Sequence, residues 1–336
     1  MKSLYTALLS TLLLGAIHLS AQGSVATTPV GCYPVTLKAG ADTAVGVPLE
    51  RAAAFVGRIE AREGNTLTLA GAAGWTPGQF AGSPEDLSQE YFYLQVVTGE
   101  LRGATFLITD SSENAVTVLP ESEELSKLLT LAASGAGETV RIVPYWTPAS
   151  LFAHSDLPEG ACIVLPSETD GVAAEELVYS ASGWTLGGNP ADLYPLRRGF
   201  GLFVCLPEGV ADVELDILGH VPFVPERFIF EGAELERGKD VFFALSHPEA
   251  IRLVEAGLEF DDRTVVFAYG NEARFGDNPT SVYTYYEGHG WFDQVFRPVD
   301  PTVMLEPGSA YFVRVPPTPA HTQFVWERIP MYLSSL

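Results

Sequence analysis

Two stretches of this chain, about a hundred residues apart, run through the same order of turns and apolar segments. Thr147-Pro148 leading to Leu151 is matched by His247-Pro248 leading to Ile251, and Cys162-Ile163-Val164-Leu165 by Thr264-Val265-Val266-Phe267. Leu177-Val178-Tyr179 followed by Gly183-Trp184 answers Ser281-Val282-Tyr283 followed by Gly290-Trp291. Gly199 with Phe203-Val204 answers Gly308 with Phe312-Val313, and His220-Val221-Pro222 answers Arg328-Ile329-Pro330. The offset drifts from 100 at the first match to 107 at the tryptophans and 109 at the glycines, as loop insertions between strands of fixed order would make it. A duplicated module follows.

Within each copy the residues read as β. The 32 glycines and 24 prolines are scattered among short Val-, Tyr-, Phe- and Thr-rich runs, a pattern of many strands joined by turns. The expected fold is all-β: two related sandwich- or barrel-like modules with a few short helices. One helix is expected from Ser246-His247-Pro248-Glu249, where serine, proline and glutamate have capping-box spacing, to a stop at Gly257. A second is expected over Glu121–Ala132, with Leu125, Leu128, Leu129 and Ala132 at helical spacing. Thr147-Pro148 opens a third, one-turn element.

The second copy begins with a strand at Asp240–Leu245, whose counterpart in the first copy is Ala44–Leu49. In the second copy the proline turn follows that strand at once; in the first it comes about a hundred residues later. Six strand-like runs fill the gap, which predicts a small barrel or sandwich at 55–145 inserted into a first module made of 25–54 and 146–222. The second module is then 223–336. A linear arrangement of three domains is the alternative.

The chain opens with Lys2, an apolar run from Leu4 to Ile17 and small residues ending at Ala21, the order of a secretory signal peptide cleaved after residue 21. The expected location is therefore secreted, periplasmic or cell-surface, with no transmembrane segment after cleavage. A net charge of −23 disfavours nucleic acid and anionic membrane surfaces as partners. With three cysteines, a disulfide framework is excluded. Cys162 and Cys205 are either one bridge or two small core residues.

Pro29-Val30-Gly31-x-Tyr33, Ala39-Gly40-Ala41-Asp42-Thr43, Val143-Pro144-Tyr145-Trp146-Thr147-Pro148 and the Gly-x-Trp and Pro-Gly-x-x-Tyr-Phe-Val patterns together resemble a family of secreted bacterial β proteins built from tandem modules. The resemblance spans the mature chain and implies an exported β protein. It carries no catalytic residues across. Cys32, between Gly31 and Tyr33, departs from the pattern.

No spacing announces an active site: there is no His-Glu-x-x-His, phosphate-binding Gly-rich loop, Gly-x-Ser-x-Gly or Cys-x-x-Cys. His154, His220, His247, His289 and His321 are scattered singly. Asp261, Asp262 and Asp277 flank one strand and could supply oxygen ligands to Ca²⁺, the one cofactor the chain suggests, although the spacing of a dedicated calcium loop is missing. Trp75, Trp146, Trp184 and Trp291 lie near turns or strand ends, where exposed rings stack on sugars, but a ring present in both copies, as Trp184 and Trp291 are, is more often a core plug. The sequence thus points to a non-enzymatic exported protein with a structural, glycan-binding or protein-binding role at the envelope. A polysaccharide hydrolase with carboxylates between the modules is the alternative.

Overall fold

A computed structural model describes residues 28–334 except 73, 83–85, 120–124, 168–171, 233–235, 271–272 and 320–321. The signal segment and His321 lie outside the described residues. The fold is mainly β, as expected.

The chain opens with β1 (Val30–Leu37) and β2 (Asp42–Val45), then leaves for a barrel of β3 (Phe55–Glu63), β4 (Thr66–Ala70), β5 (Phe92–Val96), β6 (Thr105–Ser111), β7 (Ala115–Leu119) and β8 (Thr139–Pro144). These six close in the order β3-β4-β7-β6-β5-β8, and closure removes the unpaired edges a small sheet would expose. Alternate residues fill the interior, among them Ile59, Leu67, Leu69, Leu94, Phe106, Ile108 and Val140. The chain then returns through β9 (Cys162–Leu165), β10 (Glu175–Ser180), β11 (Gly183–Leu186), β12 (Asn189–Pro190), β13 (Leu202–Cys205) and β14 (Val213–His220). The sheet order is β12-β11-β10-β9-β13-β2, so β2 and β9, on either side of the barrel in sequence, share one sheet. The β1–β14 ribbon covers one face of that sheet, with Leu37, Leu215 and Ile217 packed on Ile163, Leu177, Trp184 and Val204.

The rest of the chain repeats this plan with β15 (Glu226–Glu231), β16 (Lys239–Ala244), β17 (Ile251–Arg252), β18 (Val265–Ala268), β19 (Ser281–Tyr286), β20 (Gly290–Asp293), β21 (Met304–Leu305), β22 (Ala310–Val315) and β23 (Gln323–Arg328). Its sheet runs β16-β22-β18-β19-β20, step for step the order β2-β13-β9-β10-β11, and a β15–β23 ribbon covers it. Strand pairing also corrects two sequence matches. Val164 and Phe267 both pair with the central phenylalanine of the next strand, Phe203 and Phe312, so the β9–β18 offset is 103 and Ile163 corresponds to Val266. Both are fully buried. In the hairpins Tyr179 faces Trp184 and Tyr285 faces Trp291, which makes Tyr285, and not Tyr283, the counterpart of Tyr179.

The outer faces of the two sheets pack on each other about a pseudo-twofold axis. Val45 bridges to Ser309, and the equivalent pair, Phe243 and Phe200, bridges in the same way. The Gly46 N–H donates to the Gly308 carbonyl at 3.1 Å, and its counterpart, the Ala244 N–H, donates to Gly199 at 2.9 Å. Phe203 stacks on Phe242 across this seam, 4.6 Å between centroids and 12° between planes. Such self-complementary contacts are those of a twofold dimer interface, here within one chain.

Two expected helices are corrected. The stretch from Ser246 to Gly257 forms the short strand β17 and a 3₁₀ turn, Leu253–Glu255. Ser246 does not cap: its N–H and Oγ both donate to buried Glu226, while Glu249 is drawn away to Arg328 and the Met331 N–H. In the second stretch 121–124 lies outside the described residues, and the remainder splits into a 3₁₀ turn, Leu125–Lys127, and α1 (Leu131–Ser134). The Thr130 side chain accepts from the Ala133 N–H, starting a new helix there, and Gly135 ends it in the left-handed region. The third element forms as expected: α2 (Pro148–Leu151) carries a full capping box between Thr147 and Ser150. A last turn, α3 (Met331–Ser334), closes the described chain.

Candidate ligand pocket

Where the barrel joins the modules, the chain must cross twice, once outward after Leu49-Glu50 and once back through Tyr145-Trp146. These crossings wall a pocket of about 400 Å³. The Trp146 indole N–H donates to the Leu49 carbonyl at 2.8 Å, tying return to exit, and the Leu196 N–H donates to the Trp146 carbonyl at 2.8 Å. That second bond brings the 194–200 segment across as the opposite wall. Tyr194 donates its hydroxyl to the Glu175 carboxylate. Burial, and then that carboxylate, push the Tyr194 hydroxyl pKa up, so it stays a donor. The Arg197 guanidinium lies 4.1 Å over the Phe200 ring. Phe242 and Phe312 reach in from the second module, so the barrel and both modules line one cavity. Aromatic rings, two carboxylates and two arginines in one concavity suit a polar ligand with apolar faces.

Beneath the pocket lies a buried ionic cluster. Glu50 and Arg141, each 2% exposed, form an ion pair with Arg141 Nη2 2.7 Å from Glu50 Oε2; Arg141 also donates from Nε to Gln95 at 3.0 Å and covers the Phe223 ring. Glu50 Oε1 is at ion-pair distance from Arg141 Nη1 but off its hydrogen-bonding direction. Beside this pair, Arg198 approaches His247 Nε2 at 3.4 Å. His247 Nδ1 lies 2.5 Å from the Tyr332 hydroxyl, which itself donates to the Pro222 carbonyl at 2.8 Å. With the tyrosine proton committed to Pro222, Nδ1 carries the histidine proton and Nε2 presents its lone pair to Arg198. Burial, reinforced by Arg198, Arg328 and Arg141, holds the His247 pKa well below the usual histidine range. Burial raises the pKa of Glu226, against the opposing bonds from Ser246. Barrel, first module and second module each contribute charges, and the cluster fixes their mutual orientation.

The sequence-selected residues separate. Trp146 lines the pocket. Trp75 packs edge-on between Phe55 and Phe80, 4.9 Å from each, on the barrel core. Trp184 and Trp291 are buried module plugs, 2% and 5% exposed, and neither offers a ring face to a ligand. Asp261 and Asp262 precede β18, Asp261 accepting from the adjacent Asp262 N–H and Asp262 from the Glu287 N–H in the β19–β20 turn, whereas Asp277 follows the strand and accepts from the Arg274 N–H. The strand keeps the two sets apart, and among the described residues no three metal-ligating side chains converge. Cys162 and Cys205 face each other on β9 and β13 as free thiols. Sequence reasoning missed Tyr194, Glu175, Arg197 and Arg141; the apolar run around Arg141, Val140 to Val143, was the one signal for a buried charge. No family model, curated protein or solved structure matches the chain. No helix among the described residues is long and apolar enough to cross a membrane.

Proposed function

We propose that this is an exported, non-catalytic glycan-binding protein of the cell envelope or exterior, with its ligand held in the junction pocket. The observation that carries the reading is the pocket itself: Trp146, Tyr145, Tyr194 and Phe200 gathered beside Glu175 and Arg197. Sugar rings present apolar C–H faces to aromatic rings and hydroxyl edges to carboxylates and guanidinium groups, so one cavity offers both. The secretory signal and the resemblance to secreted β proteins support the compartment. A hydrolase needs two carboxylates free to exchange protons and attack. Of the two carboxylates among the described residues that line this pocket, Glu50 is neutralised by Arg141 and Glu175 holds Tyr194, which favours binding over hydrolysis.

The test is an array of neutral and acidic glycans probed with the folded mature protein, followed by calorimetry on any hit. Glu175→Gln and Tyr194→Phe are expected to weaken binding about tenfold each, the loss of one hydrogen bond to a charged group. An array without a hit, or hits that both variants bind as tightly as the parent, would overturn the reading. Release of reducing sugar from a bound glycan would favour the hydrolase.

A further inference from the structure

We propose that Cys162 and Cys205 form a modification site, a cross-strand thiol pair that a small disulfide oxidant closes into a bond stapling β9 to β13. The register is the first ground. Cys205 is the direct partner of Cys162, and facing residues in antiparallel strands have Cα atoms about 4.5–5.5 Å apart, within the roughly 4.4–6.8 Å that a disulfide spans. Both thiols are free and partly exposed, on the sheet's outer face at the rim of the seam with the second module.

The second ground is the duplicated module. Strand pairing sets Asp42, Cys205 and Cys162 in one row across the first sheet and Asp240, Arg314 and Val265 in the matching row of the second. In the second copy the row is held by a two-pronged ion pair, Arg314 Nε and Nη2 to the Asp240 carboxylate at 2.6 and 2.8 Å. In the first copy cysteine replaces the arginine, and Asp42 instead accepts the Phe275 N–H of the second module at 2.6 Å. The first row therefore lacks its ionic tie and has in its place two sulfurs able to make a covalent one.

The chemistry balances with a low-molecular-weight disulfide as oxidant. The hydrogen bond between the two thiols, and then burial, keep the Cys205 pKa up; either sulfur can begin the exchange, and the same bond results whichever does. When Cys162 begins, its thiolate cleaves the oxidant's S–S bond, leaving a mixed disulfide and releasing one thiol. Cys205 then gives up its proton and attacks the Cys162 sulfur, releasing the second thiol. Two protein S–H bonds and one oxidant S–S bond are exchanged for one protein S–S bond and two small thiols. β9 runs on into Leu165–Ser167 and Gly201 leads into β13, both walls of the pocket, so closing the bond braces that wall.

The experiment uses the mature chain carrying Cys32→Ser, which removes the exposed thiol on the β1–β14 ribbon. The reduced protein is incubated with oxidised glutathione, then denatured and alkylated for mass analysis. The expected product has lost two hydrogens, takes up no alkylating agent and no glutathione, and melts roughly 5 °C higher than the reduced form. With Cys162→Ser or Cys205→Ser added, the remaining thiol alkylates or carries glutathione, and the rise in Tm is lost. Two alkylated cysteines, or glutathione on both, in the Cys32→Ser protein would overturn the proposal whether or not the further variants fold.

Discussion

Gly201 faces Ala310, its own counterpart in the other module: a Cβ added to the glycine would sit 2.4 Å from the alanine Cβ. The same happens at Gly46, whose added Cβ would meet that of its counterpart Ala244 at 3.0 Å and two carbonyl oxygens at 2.6 Å. Residues near a twofold axis meet their own equivalents, and here each meeting has room for one methyl group and not two. Each position accordingly carries glycine on one side of the seam and alanine on the other.

Gly201→Ala is therefore expected to destabilise the protein by about 2 kcal/mol, the usual cost of overpacking a tight contact. Adding Ala310→Gly should recover at least half of that loss. The remainder reflects the Phe242 ring, 2.9 Å from the added carbon. A double-mutant cycle in urea measures the coupling, and additive effects would contradict a direct contact.

Glu50 and Arg141 give a second test, because a buried ion pair costs most when half of it is removed. Arg141→Met strands the Glu50 carboxylate and is expected to cost about 3–5 kcal/mol. Glu50→Leu combined with Arg141→Met should be closer to the parent than either single variant. Equilibrium denaturation of the four proteins decides it. A double variant that is worse than both singles would mean that Gln95 and the Phe223 ring, and not the charge pair, hold the joint.

The strands were legible because their cause is local: alternating apolar residues such as Leu67 and Leu69, or Phe324 and Trp326, mark one face over a few positions. The unequal spacing of the two copies was legible because β2 and β16 lead into similar sequences at different distances. Register was not. Matching Cys162 to Thr264 by similarity slips the strand by one residue and reverses every side chain, and only the pairing with Phe203 and Phe312 sets it right. The helix at Ser246 failed through a residue twenty positions away, Glu226, which accepts the Ser246 N–H that the capping-box glutamate would have taken and also binds the hydroxyl whose oxygen would have capped. The pocket joins Tyr93 to Phe312 through three units of structure, and no short window of sequence spans that distance.

The His247 ring offers a pH test whose sign follows from its hydrogen bonds. In the folded protein the ring is neutral, with Nε2 turned to Arg198 and its pKa held below the usual value by burial and then by three arginines. In the unfolded chain it titrates near 6.5. Below that pH the unfolded state binds a proton that the folded state refuses, so the contribution is complete above about 6.5 and is lost as pH falls. Between pH 7.5 and 5.5 this group should remove about 1 kcal/mol of stability. Other groups titrate on the same path, Glu226 in the opposite sense because its pKa is raised, so the decisive quantity is a difference. His247→Gln cannot take up the proton and keeps a side chain that can bond Tyr332 or Arg198. Urea midpoints at the two pH values should fall less for this variant than for the parent. Equal losses in both proteins would show that the ring is already protonated in the folded state or that Arg198 moves away to admit the charge.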